Sequence, residues 1–237
     1  MNGSAPAALA AADSAWWRME EPANQMAITA VLTFDAPLDP ARLAELLRTR
    51  LLAHAPFRQR VVQPRLPWLR PRWEDDPGFA LEHHLRHASL PEPGDDGALQ
   101  EMVSDLMSVP LDPSRPPWQF TYVDSYGGGS ALVARLHHCI ADGIALIHLL
   151  LTLDDVEGNE SAAALWGMNG GAHPGLRPAA PRTRRLWAAV ASLGRLVLMP
   201  PDLRSAFRGP LHPRKRAAWS RPVPLDELRG VAKELGC

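Results

Sequence analysis

Two adjacent histidines, followed at short distance by an aspartate and a glycine, form the segment His137-His138-Cys139-Ile140-Ala141-Asp142-Gly143. These are the residue types from which acid–base chemistry is built. A histidine titrates near pH ~6.5, so a neutral imidazole accepts a proton at physiological pH and gives it back later in the same reaction. Held against a hydroxyl, it removes the proton as the oxygen attacks an acyl carbon, then passes that proton to the leaving group. A carboxylate such as Asp142 would either orient the ring or brace the loop by pairing with an arginine, and spacing alone does not choose between these. Paired polar residues also end strands without any catalytic role, so the surrounding elements must carry part of the argument.

Those elements are legible. Trp118–Ser125 and Ser130–His137 read as two strands joined through Gly127-Gly128-Gly129, a hairpin. Side chains alternate along a strand, which puts Leu132, Ala134, Leu136 and His138 on one face and His137 on the other. The two histidines therefore take different environments. Gly143 opens a strongly apolar helix at Ile144–Leu153, so the histidines stand at the end of a rigid hairpin beside a helix N-terminus, a setting suited to a general base.

Upstream, Asp13-Ser14-Ala15-Trp16-Trp17 predicts a short capped helix, and Ala27–Phe34 alternates as a half-buried strand with Ile28, Ala30, Leu32 and Phe34 inward. Asp39-Pro40 supplies an N-cap and a first-turn proline for a helix whose stripe is Leu43, Leu46, Leu47 and Leu51. Arg58–Val62 and Arg70–Glu74 read as short strands around a proline turn. Leu99, Met102, Val103, Leu106 and Met107 mark an amphipathic helix ending near Pro110. Strands and helices mix without regular alternation, which predicts an α/β fold with a mixed sheet and flanking helices over residues 1–153. Residues 154–222 are a Pro- and Arg-rich crossover with one helix at Leu186–Met199. Residues 223–237 begin a new strand–helix unit, truncated, with Asp226 as its N-cap.

Composition bounds the rest. The chain has 237 residues, 46% of them apolar and 22% charged, enough for a real core. A net charge of −1 gives no bulk attraction to nucleic acid. The two cysteines, Cys139 and Cys237, make no disulfide framework and suggest a reducing, cytoplasmic setting. The N-terminus lacks the pattern of a signal peptide, and no apolar run is long enough to span a bilayer. His83, His84 and His87 form a second cluster, read as a solvated strand-loop segment, and no metal is expected. The G-x-S-x-G elbow of a serine hydrolase is missing.

The HHxxxDG pattern resembles that of the chloramphenicol acetyltransferase-like superfamily, which includes peptide-synthetase condensation domains and bacterial wax ester synthase/diacylglycerol acyltransferases. Three further segments look like the last of these. They are the opening Asp13–Trp17 with Glu21-Pro22-Ala23-Asn24-Gln25-Met26, then Leu90-Pro91-Glu92-Pro93-Gly94, then Pro110-Leu111-Asp112-Pro113-Ser114-Arg115-Pro116-Pro117-Trp118. Pro117 stands where the family's third segment usually has leucine. The resemblance covers nearly the whole chain. It implies the N-terminal half of a chloramphenicol acetyltransferase-like fold plus the crossover; in that family an Asn-Asp-bearing second half completes the site, and a separate C-terminal half is one source for it here.

It further implies transfer of a fatty acyl group from acyl-coenzyme A, a co-substrate rather than a cofactor, to diacylglycerol or a long-chain alcohol. His138 is then the base beside His137. Asp142 holds the loop, Gly143 leaves room at the substrate channel, and Pro116 and Trp118 lie in a segment that shapes substrate binding. Trp118 reads equally as core. The basic residues Arg182–Arg185, Arg204, Arg208, Arg214, Lys215 and Arg216 would meet anionic lipid, coenzyme A phosphates or only water. Contact with the inner face of a membrane or with a lipid droplet is part of the expectation. The rival readings are a condensation-type acyltransferase using a carrier-protein donor, and an inactive or split half-protein.

Overall fold

A computed structural model describes residues 7–66, 68–140, 211–221 and 223–235. Asp142, Gly143, the Ile144–Leu153 and Leu186–Met199 helices and the arginines between 182 and 208 lie outside the described residues.

Two sheets organise the chain. The larger has the order β2 (Ala27–Phe34), β7 (Gly129–His137), β6 (Trp118–Tyr126) and β5 (Leu85–Ser89). Its first three strands are antiparallel and β5 runs parallel to β6, so the sheet is mixed as expected. Every residue of β7 is buried, because helices cover both faces of the sheet. On one face α2 (Pro40–Leu46), continued by a π-helical turn at Leu47–Leu51, sets Leu43, Leu47 and Leu51 against Trp118, Phe120, Leu132, Ala134 and Leu136. On the other, α3 (Asp96–Ser108) sets Leu99 and Val103 against Val123, Ala131 and Val133. The smaller sheet joins β1 (Ala7–Ala8), β4 (Arg72–Asp75) and β3 (Gln59–Val62). It meets the end of β7 through Leu9, Val61 and Cys139.

Local chemistry explains the boundaries. Asp39 accepts a hydrogen bond from Ala41 N–H at 2.9 Å and caps α2 with Pro40 in its first turn. Asp95 caps α3 through Ala98 N–H at 2.9 Å. The β6–β7 hairpin closes through Gly127 and Gly128 at φ +59° and +85°, the two positive values that a type I′ turn needs. Gly94 at φ +67° lies so close to β6 that a Cβ there would stand 2.1 Å from the Ser125 carbonyl oxygen. Gly94→Ala is therefore expected to destabilise the fold by roughly 2 kcal/mol or more. A urea-unfolding midpoint equal to the wild type's would contradict this.

Four expectations need correction. The helix around Trp16 and Trp17, α1 (Ala11–Arg18), begins at Ala11 after an Ala10 that makes no side-chain cap. Asp13 sits in its first turn instead. The C-terminal helix, α4 (Leu225–Glu234), starts after Pro224, so Asp226 lies in the first turn too, and among the described residues from 211 onward no strand precedes it. His84 is not solvated. It is 2% exposed, stacks on Trp118 at 4.5 Å and donates from Nδ1 to the Trp118 carbonyl at 2.8 Å, while His83 and His87 stay exposed. Lys215 is not a free linker cation. Its N–H donates to Ser108 Oγ at 2.8 Å and its ammonium to the Ala23 carbonyl at 2.5 Å, tying residues 211–221 to α3 and to the N-terminal segment.

Candidate active site

β7 ends at His137, and there the 13–26 and 110–118 segments meet. The His137 N–H donates to the Pro117 carbonyl at 2.9 Å and the His138 N–H to the Met26 carbonyl at 2.8 Å. One histidine is thus fixed to the 110–118 segment and the other to the 13–26 segment. Helix α1 closes the group. Trp16 stacks on the His138 ring at 4.3 Å and 17°, and Trp17 lies tilted against His137 at 5.0 Å.

The two rings have different surroundings. His137 is 3% exposed. Its Nδ1 accepts the Cys139 N–H at 3.0 Å, which leaves the proton of the neutral ring on Nε2. That nitrogen faces Glu20 Oε2 at 3.5 Å without completing a hydrogen bond. Burial, with a smaller push from His138, lowers the His137 pKa to about 4. The ring is neutral near pH 7 and engaged on its Nδ1 side, an anchor rather than a free base. His138 is half-buried, and among the described residues its ring makes no hydrogen bond. Of the two rings, His138 is the more accessible.

Glu20 escaped the sequence reading. Burial raises its carboxyl above the usual glutamate value, while the Met26 N–H, a hydrogen-bond donor to it, and the Arg135 guanidinium pull it back. Its signal in the sequence was its place beside the Glu21–Met26 segment. Arg135, on the same face of β7 as His137, is buried and donates to the Val109 carbonyl. Cys139 is buried, and that burial pushes its thiol well above the ordinary range, so it is no nucleophile.

The 110–118 segment supplies one wall. Leu111, Asp112, Pro113 and Pro117 join Trp17, Glu20 and His137 around a cavity of about 210 Å³. Leu111 and Asp112 also line a larger cavity of about 510 Å³ beneath α3, whose floor holds Gln119 and Arg135. The turn is shaped by Asp112, which accepts from Ser114 N–H at 2.9 Å and Ser114 Oγ at 2.6 Å. Those bonds hold its carboxyl below the usual range. Pro116 and Trp118 lie behind this wall. Both are buried, and the Trp118 indole donates to the Phe57 carbonyl at 2.9 Å amid Phe57, His84 and Phe120. Among the described residues, no group of three or more His, Cys, Asp or Glu is placed to hold a metal ion.

The depressed His137 pKa has a consequence for stability. A histidine that resists protonation when folded contributes fully above its ordinary value of 6.5, and that contribution is lost as pH falls from there towards about 4. At about 1.4 kcal/mol per unit, the loss is on the order of 3 kcal/mol. Unfolding by urea at pH 7 and pH 4.5 is expected to show a steeper loss in the wild type than in His137→Gln. Equal losses would refute the assignment.

Known proteins resemble this chain in sequence and in fold. A protein named probable diacylglycerol O-acyltransferase, from Mycobacterium tuberculosis, is 38% identical over 136 residues, covering 57% of this chain and 29% of that one. The solved wax ester synthase/diacylglycerol acyltransferase from Marinobacter aquaeolei VT8 superposes with a TM-score of 0.61 at 23% identity, over 97% of this chain and 56% of that one. The first condensation domain of the calcium-dependent antibiotic synthetase does so with a TM-score of 0.54 at 22% identity, over 81% and 44%. These two likenesses establish the chloramphenicol acetyltransferase-like fold. The chain spans less than two thirds of the length of each of the three. Residues 9–237 match the family described as "Wax ester synthase/diacylglycerol acyltransferase catalytic domain", and the chain belongs to that family.

Proposed function

We propose that the chain contributes the histidine-bearing half of an O-acyltransferase that moves a fatty acyl group from acyl-coenzyme A to diacylglycerol or a long-chain alcohol. The observation that carries this reading is the convergence of two sequence-distant segments, residues 13–26 and 110–118, on His137 and His138. In the proposed step, the acceptor oxygen attacks the thioester carbonyl while His138 takes its proton. The tetrahedral intermediate collapses, the C–S bond breaks, and the imidazolium returns the proton to the leaving thiolate. The products are an ester and free coenzyme A, with no acyl-enzyme. His137 and Glu20 position the turn and touch no substrate. Asp142 would brace the loop after His138 and Gly143 would leave room for substrate, roles carried over from the family pattern.

The reading assigns the second wall of the site to the part of the family fold that this chain does not span. The test is transfer of labelled acyl groups by this chain, alone and with a separately expressed second half from a family member. Acyl-coenzyme A and acyl-carrier protein are compared as donors. Ester formation from acyl-coenzyme A is expected. Preference for the carrier-protein donor would favour a condensation-type enzyme, and failure in both settings would contradict the proposal.

A further inference from the structure

The loop between β3 and β4, described at residues 63–66 and 68–71, is fastened at its base and carries exposed apolar residues beyond it. Leu9 N–H donates to the Pro71 carbonyl at 2.8 Å, Arg70 Nη1 to the Leu9 carbonyl at 3.4 Å, and Arg18 Nη2 to the Leu69 carbonyl at 2.7 Å. Beyond these ties, Leu69 N–H reaches back to the Leu66 carbonyl at 3.0 Å and closes a turn that carries Trp68. Leu66, Trp68 and Leu69 are 46%, 73% and 47% exposed. Three large apolar side chains on one turn are left in water without the burial that would otherwise favour them.

Cations flank this tip. Arg72 pairs with Glu74 at 3.5 Å, but Arg65 and Arg70 have no carboxylate partner among the described residues. Tryptophan with leucine, rimmed by arginine, matches the layering of a lipid interface. The ring and alkyl groups enter the headgroup boundary while the guanidinium groups meet phosphates. We propose that the 63–71 loop docks the chain on an anionic bilayer through Leu66, Trp68 and Leu69, with Arg65 and Arg70 on the lipid phosphates. The net charge of −1 makes this a local patch rather than a bulk attraction. The placement also suits the site. Arg18, which holds Leu69, ends the helix whose Trp16 and Trp17 face the two histidines. The choice of this surface for lipid delivery rests on the acceptor being a lipid, but docking is read without turnover, so the two readings fail separately.

Flotation of the whole chain with vesicles tests the proposal. Wild type is expected to float with vesicles containing about 30% phosphatidylglycerol, and much less with phosphatidylcholine alone. Trp68→Ser is expected to weaken binding about tenfold, and Arg65→Gln about fivefold with a reduced dependence on salt. Both side chains are exposed, and far-UV circular dichroism verifies that the variants fold. Binding of Trp68→Ser equal to wild type, equal wild-type binding to both vesicles, or no binding to either overturns the proposal.

Discussion

His138→Ala is expected to lower the rate of acyl transfer by about 10²- to 10⁴-fold, the range that a positioned general base supplies. The size of the effect follows from the chemistry. An unassisted alcohol keeps its proton while attacking the thioester, and the tetrahedral intermediate must then shed it without a partner. The fold should survive the change. His138 is half-buried, and its ring contact among the described residues is the stack on Trp16. His137→Ala should behave differently. It removes the acceptor of the Cys139 N–H and opens space under Trp17, so its loss of activity should follow loss of structure. Equal folding of wild type and His138→Ala, with equal turnover, would remove His138 from the chemistry.

Trp118→Ala is expected to cost roughly 3–5 kcal/mol of stability, the range for a buried tryptophan truncated in a core. The side chain is 2% exposed between Phe57, His84 and Phe120, and it satisfies the Phe57 carbonyl. Trp118→Phe keeps most of the volume but removes that hydrogen bond, so it should cost about 1–3 kcal/mol. The resemblance placed Trp118 in a segment that shapes substrate binding, and its position makes that influence indirect. It supports the strand from which Pro117 grips His137. Chemical denaturation with parallel kinetics separates the roles. Unchanged stability with a raised KM for the acceptor would make Trp118 a substrate contact after all.

The parts of the fold legible in the sequence were those with local causes. Ala27–Phe34 and the β6–β7 hairpin could be read because alternation and a glycine run act within a few residues. Asp39 was legible as a cap because an N-cap needs only its own next turn. What escaped depended on partners far along the chain. Glu20 meets His137 only because α1 and β2 pack beside the end of β7. His84 is drawn into the core by Trp118 and Phe79, which no spacing around residue 84 announces. β1 is two residues long, too short to carry a pattern, and exists because β4 offers it an edge. Asp226 failed as a cap because Pro224 already sets the backbone where the helix begins. The pair of histidines was legible, with His138 assigned as the base by resemblance, but the burial of His137 and the partial exposure of His138 come from packing partners far along the chain.

The central claim is that His138, and not His137, moves the acceptor proton. Chemical rescue tests it most directly. Acyl transfer by His138→Ala is measured in rising concentrations of free imidazole, in the wild-type assay setting, beside His137→Ala. Imidazole is expected to restore turnover to His138→Ala in proportion to its unprotonated form and to do nothing for His137→Ala, whose defect is structural. Rescue of His137→Ala alone would contradict it.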